Sequence, residues 1–354
     1  MTTTARVDAF AAALTQAGYG PEQLDDDTFA RLTLTAINGT TNGDVGRLVA
    51  DHGAPEALRL LLDADDDELD ATNLRPVAEA QRMSLKDVGT VTGTIAKALR
   101  QRDTGALELL TPNHDHWPLK MADLRSASPL LLWARGDTEV LNDWRTTSVI
   151  GARAATGYGE HVAMELAADL THRSQNIVNG GAYGIEGMAL RASLASGGTP
   201  IAVMAGGLNR LYPSGHEALL ARVIDHGVII SEQMPAMPPT RWGFQQANRL
   251  KAALAHSTIV VEAGARSGAM QAAAQAQLLG RFVGAVPGPI TSAASAGCHQ
   301  LIKDGTAHVV TAVNDIPTVA SDPSIGPMRR QEFTRTATVA HDAAEPSASP
   351  ARSA

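Results

Sequence analysis

The residues of this sequence best suited to binding an anion lie in glycine-rich turns that follow short apolar runs. The run Val149-Ile150 ends in Gly151-Ala-Arg153, and Ile177-Val178 ends in Asn179-Gly-Gly-Ala-Tyr-Gly184. Glycine lets a backbone N–H approach a phosphate closely, and the N-terminus of a following helix adds partial positive charge. One such turn also fits tight packing alone, but five or six on one edge indicate an anion cradle. The candidate phosphate contacts are Gly151, Arg153, Gly180, Gly181, Gly184, Gly206, Gly207, Asn248, Arg249, Arg266, Ser267 and Gly268.

Arginines near these turns are the candidate cations. Arg153 lies just past a predicted strand, where it can neutralise a phosphate at a helix start, and it is the strongest candidate. Arg249 and Arg266 occupy comparable positions. For any one of them, a solvated charge or a structural salt bridge is an equal alternative.

Neither standard nucleotide-phosphate motif is present. No predicted strand opens onto G-x-x-x-x-G-K-[ST], and Gly180-Gly-Ala-Tyr-Gly184 lacks the G-x-G-x-x-G spacing. No matching acidic residue follows to hold a ribose. The sequence therefore predicts no cofactor, and a NAD enzyme is disfavoured.

Two other groups of side chains are candidates for a metal site and for acid/base catalysis. His114 and His116 flank Asp115, but no third ligand lies at a sensible spacing, so no metal site is predicted. Glu232 and Glu262 end predicted strands and could form an acid/base pair. Acceptance of backbone N–H bonds from nearby loops is the favoured interpretation, so no catalytic residue is predicted.

The elements that must position these residues follow from the hydrophobic pattern. From about residue 145, short continuous apolar runs alternate with helix-like runs, which predicts a parallel sheet covered on both faces. We expect an α/β fold with a doubly wound, mostly parallel Rossmann-like sheet, preceded by a small all-α domain. Ligands of such folds bind beyond the carboxyl ends of the strands. The predicted divisions are a helical domain at 1–110, a lead-in segment at 111–144, the Rossmann-like domain at 145–320 and a disordered tail at 321–354.

The distribution of charge and the cysteine content limit the classes of protein that this sequence can belong to. The net charge of −8 belongs to the N-terminal part, since residues 1–111 carry 18 acidic and 10 basic side chains and the remainder carries 19 of each. A neutral domain can still hold a local basic patch. The single cysteine, Cys298, excludes an internal disulfide framework. No signal peptide or membrane span is predicted, so the expected location is the cytoplasm.

The ordered set of turns resembles the DNA-processing protein A family, also called Smf. The resemblance covers about residues 112–312, and its motifs are strongly specific as an ordered set. They are Pro129-Leu-Leu-Leu-Trp-Ala-Arg-Gly136, Val149-Ile-Gly-Ala-Arg153, Gly180-Gly-Ala-Tyr-Gly-Ile-Glu186, Gly206-Gly-Leu-Asn-Arg-Leu-Tyr-Pro213, Ser231-Glu232, Phe244-Gln-Gln-Ala-Asn-Arg249, Val260-Val-Glu-Ala263, Ser267-Gly268, Val286-Pro-Gly288 and Gly297-Cys-His-Gln-Leu-Ile-Lys-Asp-Gly305.

The resemblance implies a Rossmann-like protein that binds single-stranded DNA, forms a homodimer and loads the RecA recombinase. It also implies a link to natural transformation and a role that is not enzymatic in any established sense. This sequence departs from the family pattern where Ala247 replaces an arginine, Glu186 an aspartate and Leu190 a histidine, and where the usual Ser-Gly-Ser-Leu-x-Thr-Ala run reads Ser267-Gly-Ala-Met-Gln-Ala-Ala273. These losses predict weaker DNA binding or a different ligand.

Two rival functions therefore stay open. One is a sensor of a nucleotide-like small molecule on the same scaffold, which the lost polar residues favour. The other is an enzyme related to the lysine-decarboxylase-like phosphoribohydrolases, although their Pro-Gly-Gly-x-Gly-Thr-x-x-Glu signature is not visible here.

Overall fold

Seven helices come first in the described part of the chain. In the computed structural model, which describes residues 6–39, 43–85 and 87–317, apolar side chains recur every three or four residues along these helices and point into one core. Asp25, Asp65 and Asp87 begin helices, and each carboxylate accepts the backbone N–H three residues later. The helices are α1 (Arg6–Gln16), α2 (Asp26–Asn38), α3 (Gly43–His52), α4 (Ala54–Leu62), α5 (Asp66–Ala71), α6 (Arg75–Ser84) and α7 (Val88–Asp103).

A nine-stranded sheet follows in the described part of the chain. Its strands run in the order β1-β2-β6-β5-β4-β3-β7-β8-β9. All neighbouring pairs from β6 to β9 are parallel, whereas β2 is antiparallel to both β1 and β6. The strands are β1 (Glu108–Leu110), β2 (Leu132–Gly136), β3 (Thr146–Ile150), β4 (Asn176–Asn179), β5 (Ile201–Val203), β6 (Val228–Ser231), β7 (Ser257–Val260), β8 (Phe282–Ala285) and β9 (His308–Val309).

Helices cover both faces of the sheet, which explains why the central strands are apolar without interruption. Val149 packs against the helices of one face, while the next residue, Ile150, packs against those of the other. The helices after β3, β4 and β5 lie on the first face and the later ones on the second. They are α8 (Gly157–His172), α9 (Ile185–Ala195), α10 (Glu217–His226), α11 (Arg241–Leu254), α12 (Gly268–Leu278) and α13 (Ala296–Lys303).

The strand order reverses direction at β3. From β3 the chain winds outward through β4, β5 and β6, and then returns to the other side of β3 with β7. The predicted doubly wound α/β fold, with helices ahead of it, is confirmed. The reversal places the ends of β3 and β7 side by side, and at such a point a crevice opens beyond the carboxyl ends of the strands.

The sheet begins earlier than the strand pattern indicated. β1 and β2 come from residues before 145, and β2 lies within the segment expected to be a lead-in. The three prolines of this segment, Pro112, Pro118 and Pro129, all fall outside the strands. The predicted division into domains stays a prediction, and the expected tail at 321–354 lies outside the described residues. No helix among the described residues is long and apolar enough to cross a membrane.

Candidate functional site

A cleft of about 720 Å³ opens at the carboxyl ends of the central strands. Its lining includes the turn after β3, α11 and the N-terminus of α12. Six of the residues predicted from sequence line it. They are Gly151, Arg153, Gly180, Asn248, Ser267 and Gly268.

Arg153 provides an accessible cation at this cleft. Its side chain is exposed, and its guanidinium carbon lies 4.8 Å from the centroid of the Phe244 ring. The aromatic face holds the flat guanidinium in place while leaving its N–H groups available. No salt bridge to a described residue engages Arg153, so its charge is available to a ligand.

The N-terminus of α12 provides backbone donors to the same cleft. Ser267 is the N-cap residue, but its side chain makes no capping hydrogen bond, and its Oγ is buried without a partner among the described residues. A Cβ added at Gly268 would meet nothing within 4 Å, so the helix start faces open space. Uncapped N–H groups with the partial positive charge of the helix make an anion site. We call Arg153, Ser267 and Gly268 the open half of the cleft.

The turn after β4 is filled by a carboxylate of the protein itself. Glu186 accepts hydrogen bonds from the N–H of Gly180 at 2.9 Å and of Ala182 at 3.2 Å. It also accepts from Lys251 Nζ at 2.9 Å. Burial would raise the pKa of Glu186, but attraction to Lys251 and these hydrogen bonds hold the pKa below its ordinary value. We call Gly180, Glu186 and Lys251 the closed half of the cleft.

The sequence predicts Arg249 as a phosphate contact, but its guanidinium is not available to a ligand in the cleft. Its guanidinium is buried and donates to both carboxylate oxygens of Glu232, at 3.0 and 2.8 Å. Its Nε donates to the carbonyl oxygen of Ala127 at 2.7 Å. The side chain therefore ties α11 to the end of β6, which is the salt-bridge alternative weighed from sequence.

Several of the predicted glycines serve close packing instead of lining the cleft. Gly184 has a φ of +71°, and a Cβ there would lie 2.2 Å from the carbonyl oxygen of Ala152. A Cβ at Gly207 would lie 2.2 Å from the carbonyl oxygen of Met234. These positions need glycine because two loops touch there. A Cβ at Gly206 would lie 2.7 Å from the backbone nitrogen of Pro239, and one at Gly181 would lie 2.7 Å from the side chain of Leu220. The exposed Arg266 stands outside the cleft lining.

The two strand-end glutamates considered for catalysis are both engaged. Glu262 accepts from the backbone N–H of Thr156 at 2.9 Å and from its hydroxyl at 2.5 Å. Glu232 is paired with Arg249. The favoured interpretation of Glu262 as an acceptor of loop N–H bonds is confirmed, whereas Glu232 accepts from a guanidinium.

Sequence reasoning missed two cations of the cleft wall, Arg241 and Lys251. Both lie on α11, and Lys251 is one helical turn beyond Ala247 and Asn248. The i, i+3 and i, i+4 spacing from Asn248 and Ala247 would have placed Lys251 on the same face of the helix.

Fold and site together define a Rossmann-like α/β protein with a cleft at the switch point of its sheet, lined by an exposed arginine and an uncapped helix N-terminus. The family model described as DNA recombination-mediator protein A matches residues 108–320. The chain belongs to this family.

Relatives of known name agree with that membership. A putative DNA processing protein DprA of Mycobacterium tuberculosis is 48% identical over 264 residues, which cover 68% of this chain and 67% of the relative. The DNA processing protein DprA of Bacillus subtilis is 31% identical over 222 residues, 63% of this chain and 73% of that protein.

Two solved structures share the fold. DprA from Streptococcus pneumoniae has a TM-score of 0.67 at 26% identity, covering 82% of this chain and 96% of that one. DprA from Helicobacter pylori, described for its single-stranded DNA binding mode, has a TM-score of 0.54 at 26% identity, covering 59% and 93%.

Proposed function

We propose that this protein is a recombination mediator that binds single-stranded DNA in the cleft, with a backbone phosphate held between Arg153 and the N-terminus of α12. The observation that carries the proposal is the open half of the cleft. It brings an accessible guanidinium and an uncapped helix start to the lining of one crevice. Both are groups that bind phosphate without reading sequence.

The departures from the family pattern do not remove these groups. Ala247 lines the cleft without a charge, and Leu190 is fully buried in the apolar core. Glu186 is paired with Lys251. Ala247 therefore removes one cation from the cleft lining, while Arg153 and the backbone N–H groups at the N-terminus of α12 are kept.

The DNA processing proteins described above favour the mediator over a sensor of a nucleotide-like small molecule. The Helicobacter pylori protein supports a single-stranded ligand in particular, since that is the ligand named for it.

Partnership with RecA and assembly as a homodimer in the cytoplasm belong to the same proposal. Their support is the family resemblance. Sedimentation of the purified protein would test the dimer. RecA assembly on single-stranded DNA, followed with and without this protein, would test the loading activity.

Fluorescence anisotropy of a labelled single-stranded oligonucleotide is the test of the function. We expect binding that is tighter than to duplex and that weakens with salt. Each phosphate contact contributes about 0.7 to the slope of log K against log salt. Arg153→Ala should weaken binding about 10-fold at low salt and lower that slope by about 0.7.

Arg222→Ala is the matched control, because Arg222 is an exposed arginine of α10 away from the cleft lining. It should bind like the unchanged protein. Absence of binding at low salt would refute the function. Equal losses in the two variants would refute the placement of the phosphate at Arg153.

A further inference from the structure

A cluster of three potential metal ligands lies at the far edge of the sheet, away from the cleft. Glu108 is the first residue of β1, and His114 and His116 lie in the loop after that strand. The Nε2 atom of His114 lies 3.5 Å from Glu108 Oε1, and the Nδ1 atom of His116 lies 3.8 Å from the same oxygen. One ligand atom from each residue falls within 4.8 Å of the other two.

The donor set and its spacing match a transition-metal site. Two imidazole nitrogens and one carboxylate oxygen are ligands that Zn²⁺ takes, with water filling the remaining position of a tetrahedron. Ligand atoms bound at about 2.0–2.1 Å lie roughly 3.3 Å apart in such a site. The separations of 3.5 and 3.8 Å from Glu108 Oε1 are longer than this, and all three ligand atoms lie within 4.8 Å of one another, so the side chains must move closer together when they bind an ion.

The cluster is open to solvent and yet held by its neighbours. The side chains of Glu108, His114 and His116 are each about one-third exposed, at 37%, 35% and 36%. An ion can therefore reach them from solution. The hydroxyl of Thr138 donates to Glu108 Oε2 at 3.0 Å, which orients the carboxylate and leaves Oε1 directed at the two histidines.

Coordination would replace two hydrogen bonds. The Nδ1 atom of His116 now lies 2.6 Å from the Thr138 hydroxyl and would turn to the metal. The Nδ1 atom of His114 accepts the backbone N–H of His116 at 3.1 Å. Binding through Nε2 moves the ring proton to Nδ1, so this bond within the loop opens. The bond from Thr138 to Glu108 is kept.

We infer that Glu108, His114 and His116 form a binding site for one Zn²⁺ ion per chain. The inference is independent of DNA binding, since none of these residues lines the cleft. A bound ion would tie β1, which directly follows α7, to the loop that leads toward β2. It should therefore raise the thermal stability of the protein, because it binds the folded chain only.

The test is a calorimetric titration of tag-free, EDTA-treated and dialysed protein with ZnCl₂, repeated with CoCl₂ in a spectrophotometer. We expect one ion per chain, a higher Tm with Zn²⁺, and the visible bands of four-coordinate Co²⁺. Glu108→Gln, His114→Ala and His116→Ala should each weaken binding about 100-fold or more. Thr138→Val should weaken it about 10-fold, as the loss of an orienting partner does.

His161→Ala is the matched control. His161 pairs with Glu165 on the surface of α8 at 3.6 Å, so it offers an exposed imidazole and carboxylate without a third ligand. This variant should bind Zn²⁺ like the unchanged protein. Histidine NMR signals give a readout that does not depend on the folding of any variant, since two imidazoles should shift on addition of Zn²⁺. Lack of stoichiometric binding, or binding that survives loss of Glu108 and both histidines, would overturn the site.

Discussion

The two halves of the cleft begin from the same kind of sequence and end in different states. In the closed half, the N–H groups of Gly180 and Ala182 donate to Glu186, whose charge is balanced by Lys251. In the open half, the N-terminus of α12 has no capping side chain, and Arg153 has no carboxylate partner among the described residues. A glycine-rich turn is therefore available to a ligand only where no internal carboxylate reaches its N–H groups.

Two of the three arginines predicted to contact phosphate, Arg153 and Arg249, show the same contrast, and substituting each of them in turn should give the largest difference in stability. Arg249→Met should lower the free energy of unfolding by about 3–5 kcal/mol, because it leaves Glu232 buried without its partner. Arg153→Met should change it by less than about 0.5 kcal/mol, because that side chain is exposed. Urea denaturation of both variants measures the difference. Similar stabilities would contradict the structural role of Arg249.

Lowering the pH should remove the stability that ionised Glu186 contributes in the closed half of the cleft. Because the pKa of Glu186 is lower in the folded than in the unfolded protein, its contribution to stability is full at neutral pH and is lost as the pH falls through the folded pKa. Glu186→Gln should cost about 2–3 kcal/mol at pH 7, since it leaves Lys251 buried without a countercharge. The gap between variant and unchanged protein should narrow below about pH 4. A gap that is constant with pH would show that Glu186 does not act through its charge.

Ser267→Asp should fill the open half with a carboxylate, as Glu186 fills the closed half. Of the three predicted changes in stability, this one should be the smallest. An aspartate at this N-cap position can accept the free N–H groups of α12, which should stabilise the protein by about 0.5–2 kcal/mol. The same carboxylate occupies the proposed phosphate site, so affinity for single-stranded DNA should fall about 10-fold. Urea denaturation and anisotropy measure the two changes. Increased stability with unchanged DNA affinity would place the phosphate elsewhere.

The fold was predictable to the level of its class, because its signals are local. Continuous apolar runs such as Val228–Ser231 can only be buried on both faces, and their alternation with helices permits few arrangements. β2 was missed, since its antiparallel pairing with β6 depends on residues nearly a hundred positions away.

The site was predictable as a region but not residue by residue. Arg153 and Ser267 lie in the turns that connect β3 and β7 to their following helices, so their position at the cleft follows from where the strands end. The partner of Arg249 is 17 residues away along the chain, and the partner of Glu186 is 65 residues away. Side-chain pairing over such separations leaves no periodic signal in the sequence.

The sequence by itself determined that strands alternate with helices, that glycine turns follow the strands, and that these turns gather at one edge of a parallel sheet. The physical reason is that burial and backbone freedom are properties of single residues and their near neighbours. Only the tertiary structure decided which N–H groups are open and which are filled by Glu186, and whether an arginine faces a ligand or Glu232. It also decided that Glu108 lies beside His114 and His116, because packing alone brings together charges that are distant along the chain.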